Sequence, residues 1–226
     1  MSRKLPVIAI DGPAGAGKST VTRLTAEKLG FKYIDTGAMY RAAALITLRR
    51  KINIDDESAV GDELKRSRIE LKHEDGSSSV LLDDEDVTDE IRSPDLTRMV
   101  GPVCEKEVVR RILSGRQREM GVDGGVALEG RDIGTVVFPD AEVKIFLSAD
   151  PHERAVRRWK ELREKGVEVE LIEVERDIIA RDKRDSGRQI APLKKAEDAI
   201  EIDTTYMTID EVVDRITAIV ESYMKR

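Results

Sequence analysis

The 226-residue chain has one cysteine, two histidines, one tryptophan and an aromatic content of only 4%. The single cysteine, Cys104, excludes an intramolecular disulfide and suits a reducing compartment. No neighbour in the sequence marks it as activated, so it reads as a small buried residue rather than a nucleophile. His73 and His152 are too few and too distant for a metal cluster and read as surface residues. With so few aromatic rings, aliphatic side chains must fill the core. Positive charge is not in excess either: 39 Lys and Arg stand against 45 Asp and Glu, a net charge of −6. General nucleic-acid binding favours a basic footprint, so none is expected. No apolar run approaches the ~20 residues needed to span a bilayer. A strand pattern begins so near residue 1 that no room is left for a signal peptide. A cytoplasmic chain free of membrane is expected, and a monomer, because no heptad or unexplained apolar face asks for a partner.

Gly12-Pro13-Ala14-Gly15-Ala16-Gly17-Lys18-Ser19 fits the pattern G-x-x-x-x-G-K-S and follows the apolar run Val7–Ile10. A strand, a glycine loop and a helix start together make a phosphate cradle, with backbone N–H groups converging on the β-phosphate. Lys18 can reach the β- and γ-phosphates as a point charge, and the Ser19 hydroxyl suits a hydrated Mg2+. Thr20 completes the expected ATP-binding set. After the loop, Leu24, Lys28 and Leu29 recur at helical spacing and Gly30 supplies a stop. The pattern predicts a site for a nucleoside triphosphate with Mg2+.

Short apolar runs at Val7–Ile10, Phe31–Ile34, Gly125–Leu128, Val143–Leu147 and Ala199–Ile202 end in polar turns and alternate with helical patterns. Five such strands imply one α/β domain over 1–226: a parallel sheet flanked by helices, with right-handed crossovers and ligands at the carboxyl ends of the strands. Two stretches break the alternation. Residues 65–100 look like a small antiparallel β-rich insert, with Ile69-Glu70-Leu71 and Val80-Leu81-Leu82 around an Asp75-Gly76 turn. Val87-Thr88 is expected as a third short strand. Residues 151–190 carry 21 charged residues in 40, with one apolar helical stripe at Leu171, Val174 and Ile178. This stretch reads either as a solvated charged helix pair or as a mobile lid bringing arginines to a phosphate site. Residues 105–120 read as a charged helix, and Trp159 as a packing anchor.

Arginine is planar, always charged and bidentate, hence suited to phosphate. Arg41 and Arg131 follow strands that should end beside the phosphate loop. Arg181, Arg184 and Arg188 close the charged stretch. If that segment is helical, Arg181, Asp185 and Arg188 share one face. So many cations suit a kinase that holds two polyanions end to end. Leu113-Ser114-Gly115-Arg116-Gln117 resembles the signature of ATP-binding-cassette ATPases, but no strand ending in Asp-Glu follows at the required distance. A guanine-reading Asn-Lys-x-Asp is absent. A kinase for another monophosphate, and a nucleotide-dependent switch that hydrolyses ATP slowly, stay open on these residues alone.

Asp11–Thr20, Asp35–Arg41, Glu129–Val136 and Arg181–Arg188 with Ala191-Pro192-Leu193, taken together and in this order, resemble the bacterial cytidylate kinases. The likeness runs along nearly the whole chain. It implies a P-loop nucleoside monophosphate kinase that moves the ATP γ-phosphoryl to CMP or dCMP, with 65–100 as the monophosphate-binding insert and 151–190 as the lid. Carried over residue by residue, it implies phosphate contacts from Arg41, Arg131 and Arg188, and catalytic roles for Lys18, Arg131 and Arg188. It implies base reading by Arg110 and Asp132, sugar contacts from Arg181 and Asp185, and an acceptor-side hydroxyl at Thr36. Gly101 stands where the family often has a serine near the base. Glu129 stands where it usually has the aspartate that orients a Mg2+ water. An Asp132 carboxylate would accept from the cytosine amine and face the uracil carbonyl unpaired, so it is expected to enforce cytosine.

Overall fold

β1 (Val7–Asp11) is buried at every position. A continuous apolar run of this kind belongs to a strand covered on both faces. The computed structural model describes residues 3–74, 77–164 and 166–225. In it β1 pairs in parallel with β6 (Val126–Gly130) on one side and β7 (Val143–Ser148) on the other. β7 pairs in parallel with β8 (Ile200–Asp203), and β2 (Lys32–Asp35) completes the order β2-β6-β1-β7-β8. Parallel neighbours need crossovers, and α1 (Lys18–Leu29) makes the first one, from β1 to β2. The chain places β2 and β6 on one side of β1, and β7 and β8 on the other. The end of β1 is therefore the switch point where open α/β sheets bind ligands.

The chain divides into two compact units, Met1–Tyr33 with Asp123–Arg226, and Ile34–Val122. In the first, Ile8, Ile10, Ala127, Ile145, Leu147 and Ile202 of the sheet form a core with one face of α8 (Ile209–Met224). Val212, Ile216 and Val220 recur every four residues on that face. Its start is fixed by a capping box: Thr208 Oγ1 accepts from Glu211 N, and the Glu211 carboxylate accepts from Thr208 N. The buried face of α1 runs through Val21, Thr22, Thr25 and Ala26. Leu24 and Leu29, expected as its stripe, are only partly buried, because the threonine-bearing side is the one that faces the sheet.

α6 (Pro151–Glu164) and α7 (Leu171–Ser186) form the charged helix pair. Their small core contains Ala155, Val174 and Ile178, with Leu171 and Trp159 packed against it. The stripe is where the spacing placed it. Trp159 anchors the pair through its ring and through Nε1, which donates to the Val169 carbonyl at 2.9 Å.

In the second unit, α2 (Thr36–Arg49) carries four buried alanines, which let neighbouring elements approach its backbone closely. α3 (Glu57–Arg66) leads into β3 (Ile69–Glu74) and β4 (Ser77–Leu82), an antiparallel pair with Leu71 opposite Val80. The expected Asp75-Gly76 turn lies outside the described residues. The third strand, β5, is Glu85–Asp86 rather than Val87-Thr88. Val87 is instead buried in the core, and Thr88 Oγ1 accepts from Val80 N. The charged helix expected over 105–120 is α5 (Glu107–Met120); a separate helix, α4 (Pro94–Glu105), precedes it and ends at extended Lys106. His73 is half-buried rather than on the surface, with Nδ1 2.9 Å from Ser78 Oγ. Cys104 is buried, as its surroundings in the sequence suggest.

Candidate active site

The loop after β1 turns sharply because Gly12 allows it. Its φ is +153°, and a Cβ there would lie 2.2 Å from the Leu147 carbonyl oxygen. Gly17, at φ 82°, caps α1 without a side chain, and no acidic residue occupies the first helical turn. The first N–H groups and positive end of α1 are thus left open to an anion.

Lys18 is only 6% exposed. Its Nζ donates to the Pro13 carbonyl at 2.6 Å. Burial, followed by the positive charges of Arg131 and Arg181, pushes its pKa well below the ordinary value; Glu129 and Asp11 oppose this. Ser19 and Thr20 are exposed beside it. Glu129 lies inside β6, not beyond it, and its buried carboxylate accepts from Tyr33 Oη at 2.8 Å.

Asp11 closes β1, and the sequence assigns it no role of its own. Its two carboxylate oxygens accept from the Ile133 and Gly134 amides, each at 2.8 Å. It thereby pins the π-helical turn Ile133–Val137 that follows Arg131 and Asp132. Burial raises its pKa to about 6, against the two amide bonds.

Asp185 organises the arginines. Its carboxyl accepts from Arg131 Nε at 2.8 Å and from Arg188 Nη2, and Arg181 Nε lies 4.0 Å away. Burial would raise the Asp185 pKa, but Arg131, Arg188 and Arg181 overcome this and hold it below the usual range. Arg188 is not on the α7 face with Arg181 and Asp185, because the helix stops at Ser186. The chain loops back instead, Leu193 N donating to the Asp185 carbonyl at 2.8 Å. Arg188 Nε is buried without a hydrogen-bond partner. Asp132 is buried at the start of the pinned turn.

The remaining residues expected on the acceptor side belong to the second unit. Thr36 is buried in the first turn of α2, which Asp35 caps by accepting from Ala38 N. Arg41, one turn later, donates to Thr97 Oγ1 at 3.2 Å. Arg110 is buried on α5, donates to the Cys104 carbonyl at 3.1 Å and lies over the Tyr40 ring. Gly101 is in α4.

Two further residues escape a reading of the sequence. Asp182 Oδ1 accepts from Ala14 N at 3.0 Å, and Arg154 Nη1 donates to the Ala14 carbonyl at 2.8 Å. A signal exists for one of them: Asp182 continues the stripe of Val174 and Ile178 at four-residue spacing. A carboxylate on an apolar stripe calls for a partner, and Asp182 is half-buried there.

A glycine loop between the first strand of a parallel sheet and a helix, a buried lysine at that helix start, and three arginines gathered on one carboxylate define a P-loop phosphotransferase. The family model for cytidylate kinase matches residues 8–222. The chain is 52% identical over 213 residues to a cytidylate kinase of Geobacillus sp., covering 94% of this chain and 95% of that one. It is 49% identical over 224 residues to a bifunctional pantoate ligase/cytidylate kinase of Prochlorococcus marinus, spanning 98% of this chain but 43% of that protein. A solved structure of an uncharacterized protein from Eubacterium ventriosum shares the fold, with a TM-score of 0.51, 13% identity, and coverage of 96% of this chain and 99% of that one. The chain belongs to the cytidylate kinase family of phosphotransferases that use ATP. Among the described residues, no helix is long and apolar enough to cross a membrane.

Proposed function

We propose that the chain transfers the γ-phosphoryl group of ATP to CMP or dCMP, giving ADP and CDP or dCDP. The observation that carries this reading is the gathering of three arginines on one carboxylate close to Lys18. Arg131 and Arg188 share one carboxylate, Asp185, Lys18 is buried within the field of Arg131 and Arg181, and the Arg188 Nε has no partner. Guanidinium groups gathered in this way are suited to phosphate groups. Residues 12–20 hold the ATP phosphates. Arg131, Asp132, Arg181, Asp185 and Arg188 take the acceptor, with Thr36, Arg41, Gly101 and Arg110 completing its contacts. An acceptor phosphate oxygen attacks the γ-phosphorus while the bond to the β-phosphate oxygen breaks. The attacking oxygen is already anionic, so no protein base is required, and catalysis is positioning and charge neutralisation. Asp132 accepts from the cytosine amine and Arg110 donates to N3 or O2.

Mg2+ fits the residues present: the Ser19 hydroxyl is exposed on the first turn of α1, and the Glu129 carboxylate is held in place by Tyr33. Ser19 would hold it directly and Glu129 through water, and the ion would neutralise phosphate charge. The 65–100 and 151–190 segments serve as monophosphate-binding insert and lid of one kinase domain, working as a cytoplasmic monomer. Incubation with MgATP and each common (d)NMP, following ADP release, tests the reading. CMP- and dCMP-dependent release is expected. Dependence on another monophosphate, or turnover without any acceptor, would refute it.

A further inference from the structure

Every peptide unit in a loop must find partners for its N–H and C=O. Ala14, in the middle of the phosphate loop and buried, finds both of its partners on the helix pair. The Asp182 carboxylate on α7 takes the Ala14 N–H at 3.0 Å with one oxygen and Arg154 Nη1 at 2.5 Å with the other. Arg154, on the first turn of α6 and 4% exposed, donates to the Ala14 carbonyl at 2.8 Å and to the Ala149 carbonyl at 2.9 Å. The result is a closed ring of charge-assisted bonds around one loop residue. The next residue must be small as well: a Cβ at Gly15 would stand 3.2 Å from Arg154 Cβ.

We propose that Asp182 and Arg154 are positioning residues that hold the phosphate loop in its nucleotide-binding shape by clasping Ala14. The loop then needs no ATP to fold into its cradle, and the ordering cost on binding falls. Asp182 and Asp185 lie three residues apart on α7, about 4.5 Å along the helix axis. One turn of helix thus carries both the clasp and the carboxylate that gathers Arg131 and Arg188. A displacement of that turn moves loop and arginines together.

The inference rests on the loop holding ATP, as proposed above. Its test is equilibrium titration of the full chain with MgATP alone and with CMP alone, for the parent, Asp182→Asn, Arg154→Lys and the double variant. In Asp182→Asn the new amide nitrogen would donate and could not accept from Arg154. Loss of one part-buried charge-assisted bond predicts an ATP dissociation constant raised roughly 10- to 100-fold, with CMP affinity changed less than twofold. The double variant should be no worse than the worse single, since both residues act through one clasp. Unchanged ATP affinity with only a lower melting temperature, or additive losses, would overturn the inference. If Asp182→Asn does not fold, Arg154→Lys carries the same comparison. A parent that binds no MgATP sinks the kinase reading itself, whereas a parent that binds beside unaffected variants sinks only the clasp.

Discussion

Replacing Lys18 should move stability and activity apart. Its ammonium is buried, bonded to one carbonyl, and repelled by Arg131 and Arg181. Lys18→Met keeps the length of the side chain and removes the charge. The variant loses a charged hydrogen bond worth about 1.5–3 kcal/mol. It also sheds a desolvated cation facing other cations, a gain of opposite sign. The melting temperature without nucleotide is therefore expected within about 5 °C of the parent, since 1 kcal/mol moves a chain of this size by roughly 2–4 °C. Saturating MgATP separates the two proteins. At a hundredfold excess over the dissociation constant, binding stabilises the parent by about 2.7 kcal/mol, a rise of roughly 5–11 °C. The variant should show almost none of that rise. Turnover with CMP should fall about 100- to 1000-fold, the loss found when one preorganised donor to a developing oxyanion is removed. Differential scanning fluorimetry with and without MgATP, beside a coupled ADP-release assay, reads every term. A variant that melts far below the parent without nucleotide yet keeps its ATP-induced rise and near-parental turnover would refute the assignment of Lys18 to the phosphates.

Asp132→Ala should lower kcat/KM for CMP and collapse the preference for CMP over UMP, measured with both acceptors; a preserved ratio would remove Asp132 from base reading. Asp185→Ala strands Arg131 and Arg188, whose side chains are 16% and 10% exposed, and should cost about 3–5 kcal/mol in urea unfolding. Because the Asp185 pKa is depressed in the folded protein, its contribution is present above the unfolded carboxylate range and lost as pH falls through the folded value. Asp11 has the opposite sign. Its pKa is raised from 3.8 to about 6, so its favourable contribution is present below 3.8 and lost as pH rises through 6, a change of about 3 kcal/mol. The stability difference between parent and Asp11→Asn should therefore shift in favour of the variant between pH 4 and 6, and a flat difference would count against a buried, titrating Asp11.

What the sequence disclosed and what it concealed divide along one physical line. Phosphate loop, sheet strands and the stripe of α7 are local patterns: fixed spacings, β-branched runs, a period of 3.6. They were legible within a residue or two, and the misplacements were local as well. β5 fell two residues early because Val87 was needed in the core, and Arg188 left the helix because Gly187 ended it. Concealed were the groups whose role depends on distant partners. Asp11 is joined to Ile133 and Gly134 across 122 and 123 residues, and Asp182 to Ala14 across 168. No spacing rule reaches that far. Yet both carboxylates occupy positions where the local pattern demands an apolar side chain, one ending a strand buried on both faces, the other extending the stripe of Val174 and Ile178. Burying an unpaired carboxylate costs several kcal/mol. A charge that holds a core position must therefore bring its partners with it, and near a glycine loop those partners are backbone groups that the chemistry needs fixed.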